Sequence, residues 1–517
     1  MDTFQAPIAT IIDAISGYAK WQPNKPALIC GEKRLSWFGF NDRINRVANA
    51  LIDRGIQKGD KVSVLMGNTS EMVEIIFGAV KAGGVIVPLS SMVPGDGLAM
   101  MIEDSDSKAL FVSPPLNDVI KPYRDQLKAN IQDRFIAVDF KSDGWQPYEE
   151  MLREASPADP GIELKLEDDF NIIYSSGTTG IPKGIVHTHL ARLYFTALLG
   201  LDFRINSSSI GLIATPLYAN GTWLILLPTI MVGGTVVVMP QFNPKGFLDL
   251  VQKKKCTHTF MVPTQYIVVM GVPEFENYDL SSMEIMVSAA APLRQDTKEE
   301  ILRKFDCGLL ELYGVTEGVG STLKPEEMEG KIGSVGSPLL TNDLRIIDEA
   351  GNELPRGEAG EIVGYAPTLF REYHKKPERT AQSIWKDERG RTYFKTGDMG
   401  KVDEDGFLYI LDRKKDMIIS GGMNVFASDI EEVLMKHSDV KEAAAIAIPH
   451  EKWGETPLAF VVRAAESAVT ENELKEWANQ QLAKYQRIAT VEFRNDLPKS
   501  PIGKVLKRQL REPYWIK

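Results

Sequence analysis

The chain has 517 residues, and at about 150 residues per domain that length predicts roughly three structural units. Apolar residues make up 44% and charged residues 25%, an ordinary globular balance that excludes disorder along the whole chain. Lys plus Arg is 59 against 70 for Asp plus Glu, so the net charge is −11 and the pI about 5.3. That balance argues against a general nucleic-acid binder, yet a few placed cations and helix N-termini still suffice to hold an anion.

The stretch Met1 to Trp21 has neither a basic start nor a clean apolar run, so no secretory leader or lipid attachment is expected. Lys61 to Met66 reads as a buried strand, Ser70 to Ala82 as a helix and Gly84 to Pro88 as the next strand. This β-α-β rhythm persists to about Gly336 and predicts substantial parallel sheet. Ile205 to Pro244 carries no charge, but Pro216, Pro228, Gly233, Gly234 and Pro240 punctuate it. A buried helix followed by a buried strand accounts for it better than a membrane span. Cys30, Cys256 and Cys307 are too scattered for a CxxC site, and such low usage fits a reducing, cytoplasmic setting.

The texture changes after Gly336. Asp343 to Gly351 and Lys401 to Ile410 read as short strands about turns, hence hairpins in a β-rich subdomain spanning about 337–411. The charged knot Asp412 to Asp416 marks a boundary, dividing a large domain, 1–413, from a small α+β domain, 414–517. In the small domain Ala427 to Lys436 and Glu471 to Leu482 read as helices, and Glu442 to Ile448 and Leu458 to Val462 as strands. The fold class is therefore α/β, with parallel-type sheets flanked by helices in the large domain.

The strongest chemical signal follows the apolar run Phe170 to Ile173. There Tyr174-Ser175-Ser176-Gly177-Thr178-Thr179-Gly180-Ile181-Pro182-Lys183-Gly184 offers glycines for close backbone approach, four hydroxyls and one cation, the makings of a phosphate loop. It is not a Walker A loop, because Pro182 precedes the lysine and Gly184 follows it. Leu312 to Gly318 places a ring (Tyr313), a hydroxyl (Thr316) and a carboxylate (Glu317) within five residues. Tyr313 has the ring to stack on a base and Glu317 the oxygens for Mg²⁺, although a glycine-bounded turn with a solvated Glu is the plainer reading. Asp398, in Thr396-Gly397-Asp398, has the carboxylate to take ribose hydroxyls, or simply caps its own turn. His187 and His189 lack a third clustered ligand, and Asp403 to Gly406 is a hairpin turn rather than a calcium loop.

Together with Asp412 to Gly422 and the tail Pro501-Ile502-Gly503-Lys504, these elements resemble, in order and spacing, the adenylate-forming superfamily. The likeness covers about Tyr18 to Lys504 and is nearest to the fatty-acid and coumarate-type CoA ligases. It implies two half-reactions. A carboxylate attacks the α-phosphate of ATP to give acyl-AMP and pyrophosphate, and then a thiol, CoA, expels AMP. On this resemblance Lys504, Thr316 and Glu317 are catalytic, Glu317 through Mg²⁺. ATP or AMP falls to Ser175 through Gly180, Lys183, Ala290, Ala291, Pro292, Glu311, Leu312, Tyr313, Gly314, Asp398 and Arg413. Lys415 matches the hinge about which the small domain swings, and Ser420, Gly421 and Gly422 the pantetheine passage. The acyl pocket falls to Tyr218, Asn220, Trp223, Ser288, Ala289 and Gly318, residues that favour an apolar fatty or arylalkanoic acid.

Many coumarate-type relatives carry a gating His after the stretch matched by Pro216-Leu217-Tyr218, whereas Ala219-Asn220-Gly221 stands here, so no gate residue is assigned. A carrier protein in place of CoA is the close alternative. A luciferase shares only the first half-reaction, and a non-catalytic acyl or nucleotide sensor would have lost side chains that are present. Homodimerisation stays open. Against the acidic net charge, Lys183, Arg413, Lys504, Lys507 and Arg508 are expected to supply local positive charge.

Overall fold

Strands that are apolar on both faces need cover on both faces, and the first part of the chain supplies it by alternating them with helices. A computed structural model describes residues 9–175, 183–465, 467–499 and 505–515. They fall into two compact units. The first holds the described residues of Met1–Ile332, Pro338–Asn342 and Tyr365–Ile384, and the second those of Gly333–Ser337, Asp343–Gly364 and Trp385–Lys517.

In the first unit one sheet orders Glu372–Tyr373, Lys183–Thr188, Asp169–Ser175, Val85–Pro88, Lys61–Leu65, Ser107–Val112, Phe135–Ala137 and Gln146–Pro147. The strands from Asp169–Ser175 onward are parallel, while Lys183–Thr188 returns antiparallel and Glu372–Tyr373 adds to its edge. A second sheet runs from Gly320–Leu323 through Gly308–Gly314, Ile285–Ser288, His258–Met261, Ile210–Ile213 and Thr235–Val238 to Pro26–Cys30 and Lys33–Ser36. Its interior is parallel and its two ends are antiparallel.

One core joins both sheets through the helices Trp37–Asp53 and Ser70–Lys81. The second of these starts on the Thr69 hydroxyl, which accepts from Met72 N–H at 3.1 Å. It is buried on nearly all sides, and its buried Glu74 is matched by ion pairs to Lys33 and Arg43. A Cβ at Gly78 would lie 2.4 Å from Cβ of Val47, so only glycine permits this approach of the two helices. The uncharged stretch forms the helix Trp223–Met231 and the strand Thr235–Val238, as its punctuation predicts. Among the described residues no helix is long and apolar enough to cross a membrane.

The second unit contains two sheets, with the expected 413/414 boundary lying between them. In the first, Asp343–Ile347, Gly360–Tyr365, Thr392–Val402 and Ile384–Lys386 lie in order, and Leu408–Arg413 pairs with Thr392–Val402 as the expected hairpin. The hairpin expected at Asp343 to Gly351 is reduced to one bridge, Ile347 to Glu353, because Gly360–Tyr365 is the strand beside Asp343–Ile347. The other sheet orders Met423–Val425, Ile418–Ser420, Gly454–Arg463 and Val440–His450, with Thr490–Phe493 pairing with Gly454–Arg463.

The two long strands exceed their apolar runs. Alternate residues pack on opposite faces, with Ala445, Ala447, Ala459 and Val461 in one cluster and Ala444, Ile446, Leu458 and Phe460 in another. Cover on both faces carries the ladder out to polar residues such as Glu442 and Thr456. The helices Ala427–Met435 and Glu471–Gln481 pack on one face and Lys507–Trp515 on the other.

Because Gly78 sits against Val47, Gly78→Leu overpacks the central core. It is expected to cost about 1–3 kcal/mol, read as a lower urea midpoint with an unchanged slope.

Candidate active site

The loops that follow the carboxyl ends of parallel strands carry the site. Asp169–Ser175 leads into the phosphate-type loop, Ile210–Ile213 into Pro216 to Gly221, Ile285–Ser288 into Ala289 to Pro292, and Gly308–Gly314 into Val315 to Gly318. Ser176, Gly177, Thr178, Thr179 and Gly180 lie outside the described residues, as does Lys504. The two ends of the phosphate-type loop are described: Ser175 and Lys183 are paired across the antiparallel ladder, and the buried Ser175 hydroxyl has no hydrogen-bond partner among the described residues.

Lys183 and Glu317, 134 residues apart, form an ion pair of 2.5 Å. The Tyr373 hydroxyl donates to the same Glu317 oxygen at 2.6 Å and accepts from Lys183 Nζ at 3.1 Å. Burial, reinforced by the Glu317 carboxylate, pushes the Tyr373 hydroxyl well above its ordinary pKa and keeps it a donor. Tyr373 belongs to no sequence motif and is reached only because its short strand adds to Lys183–Thr188.

The turn that carries Glu317 is pinned on several sides. Phe370 N–H donates to Glu317 O at 2.8 Å, and the Thr368 hydroxyl donates to Gly318 O. Gly318 has φ +108°, and a Cβ there would fall 2.0 Å from Thr368 O, so only glycine fits. His187 Nε2 lies 2.8 Å from Thr316 O, which makes Nε2 the protonated nitrogen and leaves Nδ1 an acceptor. Asn171 Nδ2 and Arg192 Nη2 each approach that Nδ1 at 3.3 Å. The histidine is therefore a structural tie to the turn.

Arg192, absent from any motif, is 1% exposed. It donates through Nε to Asn171 Oδ1 at 2.7 Å and through Nη2 to Asn220 Oδ1 at 2.9 Å. Its guanidinium lies 4.9 Å from the Trp223 ring centroid and 5.1 Å from that of Phe195. Burial pulls its pKa down to about 9, and no carboxylate among the described residues pairs with it.

A cavity of about 130 Å³ lies beside this group. Phe195, Leu224, Phe260, Leu312, Val319 and Leu339 line its apolar wall, and Asn220, Thr316 and Thr368 supply polar groups. Of the expected pocket residues, Asn220, Ala289 and Gly318 lie on the wall, together with Ala290, Leu312 and Gly314. Trp223 does not. It is fully buried, with its indole N–H on Leu217 O at 2.9 Å, because the apolar run that signalled it is core. Tyr218 and Ser288 are also off this wall, and the buried Ser288 hydroxyl is unpartnered among the described residues.

Ala290 is exposed with φ +72°, a left-handed conformation that a non-glycine residue holds at a cost, and Ala291 and Pro292 follow it at the surface. Glu311 is buried against Lys298, Leu312 is on the cavity wall, and Tyr313 and Gly314 end the strand.

In the second unit Asp398 stands opposite Arg413 in the ladder, and Arg413 Nε meets Asp398 Oδ1 at 2.6 Å. A bulge aims this pair. Glu361 pairs with Met399 but Val363 with Lys395, so the Thr392–Val402 strand holds extra residues around Gly397, whose φ is +72°. Lys415 sits in the turn after Arg413, and Arg511 donates to its carbonyl at 2.7 Å. Ser420 precedes a two-residue hairpin turn in which Gly421 and Gly422 have φ +59° and +80°, and Ile419, Met423 and Trp453 are exposed around it. Lys507 and Arg508 are paired with Glu431 and Glu512 at 2.7 Å each, so they are not the free local charges that composition led us to expect.

The sequence model of the AMP-binding enzyme family matches residues 17–374, and that of the AMP-binding enzyme C-terminal domain matches 429–504. The chain is similar to the long-chain-fatty-acid–CoA ligase FadD13 of Mycobacterium tuberculosis, at 32% identity over 93% of each chain. It is similar to the feruloyl-CoA synthase of an Amycolatopsis species, at 32% identity over 96% of this chain and 97% of that one. It also matches the fatty acid–[acyl-carrier-protein] ligase ScoC of Streptomyces coeruleorubidus, at 30% identity over 100% of this chain and 98% of that one. Among solved structures, ATP-bound MatB from Rhodopseudomonas palustris superposes with TM-score 0.87 at 30% identity, covering 98% of this chain and 99% of that one.

Burial holds His187 neutral well below its ordinary pKa, with Arg192 adding to the effect, and burial likewise takes His189 and His258 down to about 4. The unfolded chain binds these protons near about pH 6.5 and the native state does not, so stability is full above that pH and falls below it. Urea midpoints should therefore drop as the pH is lowered from about 6.5 toward 4, and a flat profile across that window would contradict it.

Proposed function

The chain belongs to the AMP-binding enzyme family and is an AMP-forming acid–thiol ligase, and on that premise we propose that it joins a compact, mainly apolar carboxylic acid to CoA. The observation that carries the substrate class is the cavity. Its volume, about 130 Å³, is close to that of cavities that take a benzene-sized guest. No charged side chain stands on its wall among the described residues, and Thr316, one residue from Glu317, stands at its polar part.

The remaining roles follow the family pattern. The acid's carboxylate attacks the α-phosphate of ATP, so the developing charge calls for placed cations and donors more than for a base. The Ser175 hydroxyl, unpartnered among the described residues, and Lys183 suit a phosphate ligand. Glu317 fits a Mg²⁺ site, since this ion takes one or two carboxylates and completes its shell with phosphate oxygens and water. Mg²⁺ there would neutralise phosphate charge, and Lys183, now balanced by Glu317, would pass to the phosphates. Thr316 contacts the α-phosphate in this reading, Tyr313 lies along the adenine, Asp398 and Arg413 take the ribose, and Lys504 joins carboxylate to α-phosphate. Lys415 is the hinge, and Ser420 to Gly422 serve the thiol step.

The acceptor has one competing reading, a carrier-protein thiol, supported by the similarity to ScoC. Acid-dependent pyrophosphate exchange and CoA-dependent AMP release over acetate, C4 to C16 fatty acids, benzoate and phenylpropanoates test both readings. Chains of about four to eight carbons or single-ring acids should lead, with AMP release requiring CoA. A C16 optimum would overturn the compact substrate, and exchange without CoA turnover would assign the carrier protein.

Lys504→Ala should raise the adenylation barrier by about 2–4 kcal/mol while sparing thioester formation from supplied acyl-AMP. Equal loss in both half-reactions would contradict its assignment to the first.

A further inference from the structure

Asn220 stands on the cavity wall with its carboxamide oxygen taken by Arg192 Nη2 at 2.9 Å. A guanidinium has only donors, so it accepts one orientation of the amide alone: Oδ1 toward Arg192 and Nδ2 away from it. Asn220 is half-buried, and its Nδ2 has no hydrogen-bond partner among the described residues.

Arg192 is itself held in place. Asn171 Oδ1 fixes its Nε, the His187 Nδ1 lone pair faces Nη2, and the rings of Trp223 and Phe195 lie against it. It is not on the cavity wall, so it reaches the cavity through Asn220 rather than directly. A buried cation without a carboxylate partner is costly, and three neutral acceptors in register are what make it tolerable here.

We propose that Arg192 is a positioning residue that locks the Asn220 carboxamide with its N–H donors toward the acid pocket, so that the enzyme selects acids whose tail carries a hydrogen-bond-accepting oxygen. This rests on the cavity being the acid pocket of a functioning ligase. An ether or carbonyl oxygen at the right distance from the carboxylate satisfies the Asn220 donor, whereas a plain methylene leaves it facing an apolar group after water is displaced. The rest of the wall is apolar, so an oxygen at other positions is desolvated without a partner.

An ether scan tests this with acids of one length that differ only in the place of one oxygen. Hexanoate is compared with propoxyacetate, 3-ethoxypropanoate and 4-methoxybutanoate, and the readout is kcat/KM for each ether divided by kcat/KM for hexanoate. In the native enzyme one ether should match or exceed hexanoate and the other two should fall below it. In Asn220→Leu that favoured ratio should fall about three- to tenfold, mainly through KM. Arg192→Met, which keeps the bulk but frees the amide to turn, should lower the same ratio in the same direction. Asn220→Asp, whose outward oxygen accepts rather than donates, should lower it as well.

Hexanoate turnover with no favoured ether, or with a ratio unchanged in Asn220→Leu, overturns this selection while leaving the ligase reading intact. Turnover of no acid at all overturns both. If Arg192→Met does not fold, the two Asn220 variants, at a half-buried turn, still decide the matter.

Discussion

A parallel sheet must be covered on both faces, and the architecture of the first unit follows from that. Its helices fill the faces, with Ser70–Lys81 buried in a core common to both sheets. Loops are left to the ends of the strands. Those leaving the carboxyl ends of Ile210–Ile213, Ile285–Ser288 and Gly308–Gly314 converge on one cavity, the usual place for a ligand in an α/β fold. Short antiparallel additions then bring in side chains that the parallel strands cannot, as Glu372–Tyr373 brings Tyr373 to Lys183 and Glu317.

Charge in this region is handled in two ways. Lys183 and Glu317 neutralise each other, and a phosphate ligand would replace one partner while leaving neither charge bare. Among the described residues Arg192 has no opposite charge, and it is tolerated by oriented neutral groups: an asparagine oxygen, an imidazole lone pair and a second asparagine oxygen. That solution carries information, because each neutral partner is left with one orientation. His187 becomes a donor to the Thr316 carbonyl, and Asn220, on the cavity wall, keeps its Oδ1 on Arg192 and its N–H groups turned away from it. A single buried cation thus ties the turn of Glu317 to the wall of the pocket.

The second unit shows how backbone irregularity places chemistry. The bulge at Gly397 displaces the ladder and sets Asp398 against Arg413, and the left-handed pair Gly421-Gly422 closes a tight hairpin beside Trp453. Both are glycine positions where the left-handed φ values favour that residue. The Arg511 contact to the Lys415 carbonyl joins the last helix to the proposed hinge.

Much of this was legible in one dimension. The β-α-β alternation, the helices over Ser70 to Ala82 and Ala427 to Lys436, and the motifs about Lys183, Glu317, Asp398 and Lys504 are local patterns, and local patterns express backbone preference and hydrophobic period directly. The sequence by itself determined the fold class, the family and the order of the chemical elements along the chain. Only the tertiary structure decided that Trp223 is core, that Lys507 is paired, and that Tyr373 meets Glu317 and Arg192 meets Asn220. The reason is physical: an Arg four residues into an apolar helix has no local signature. Its meaning comes from which oxygens and rings distant strands set around it.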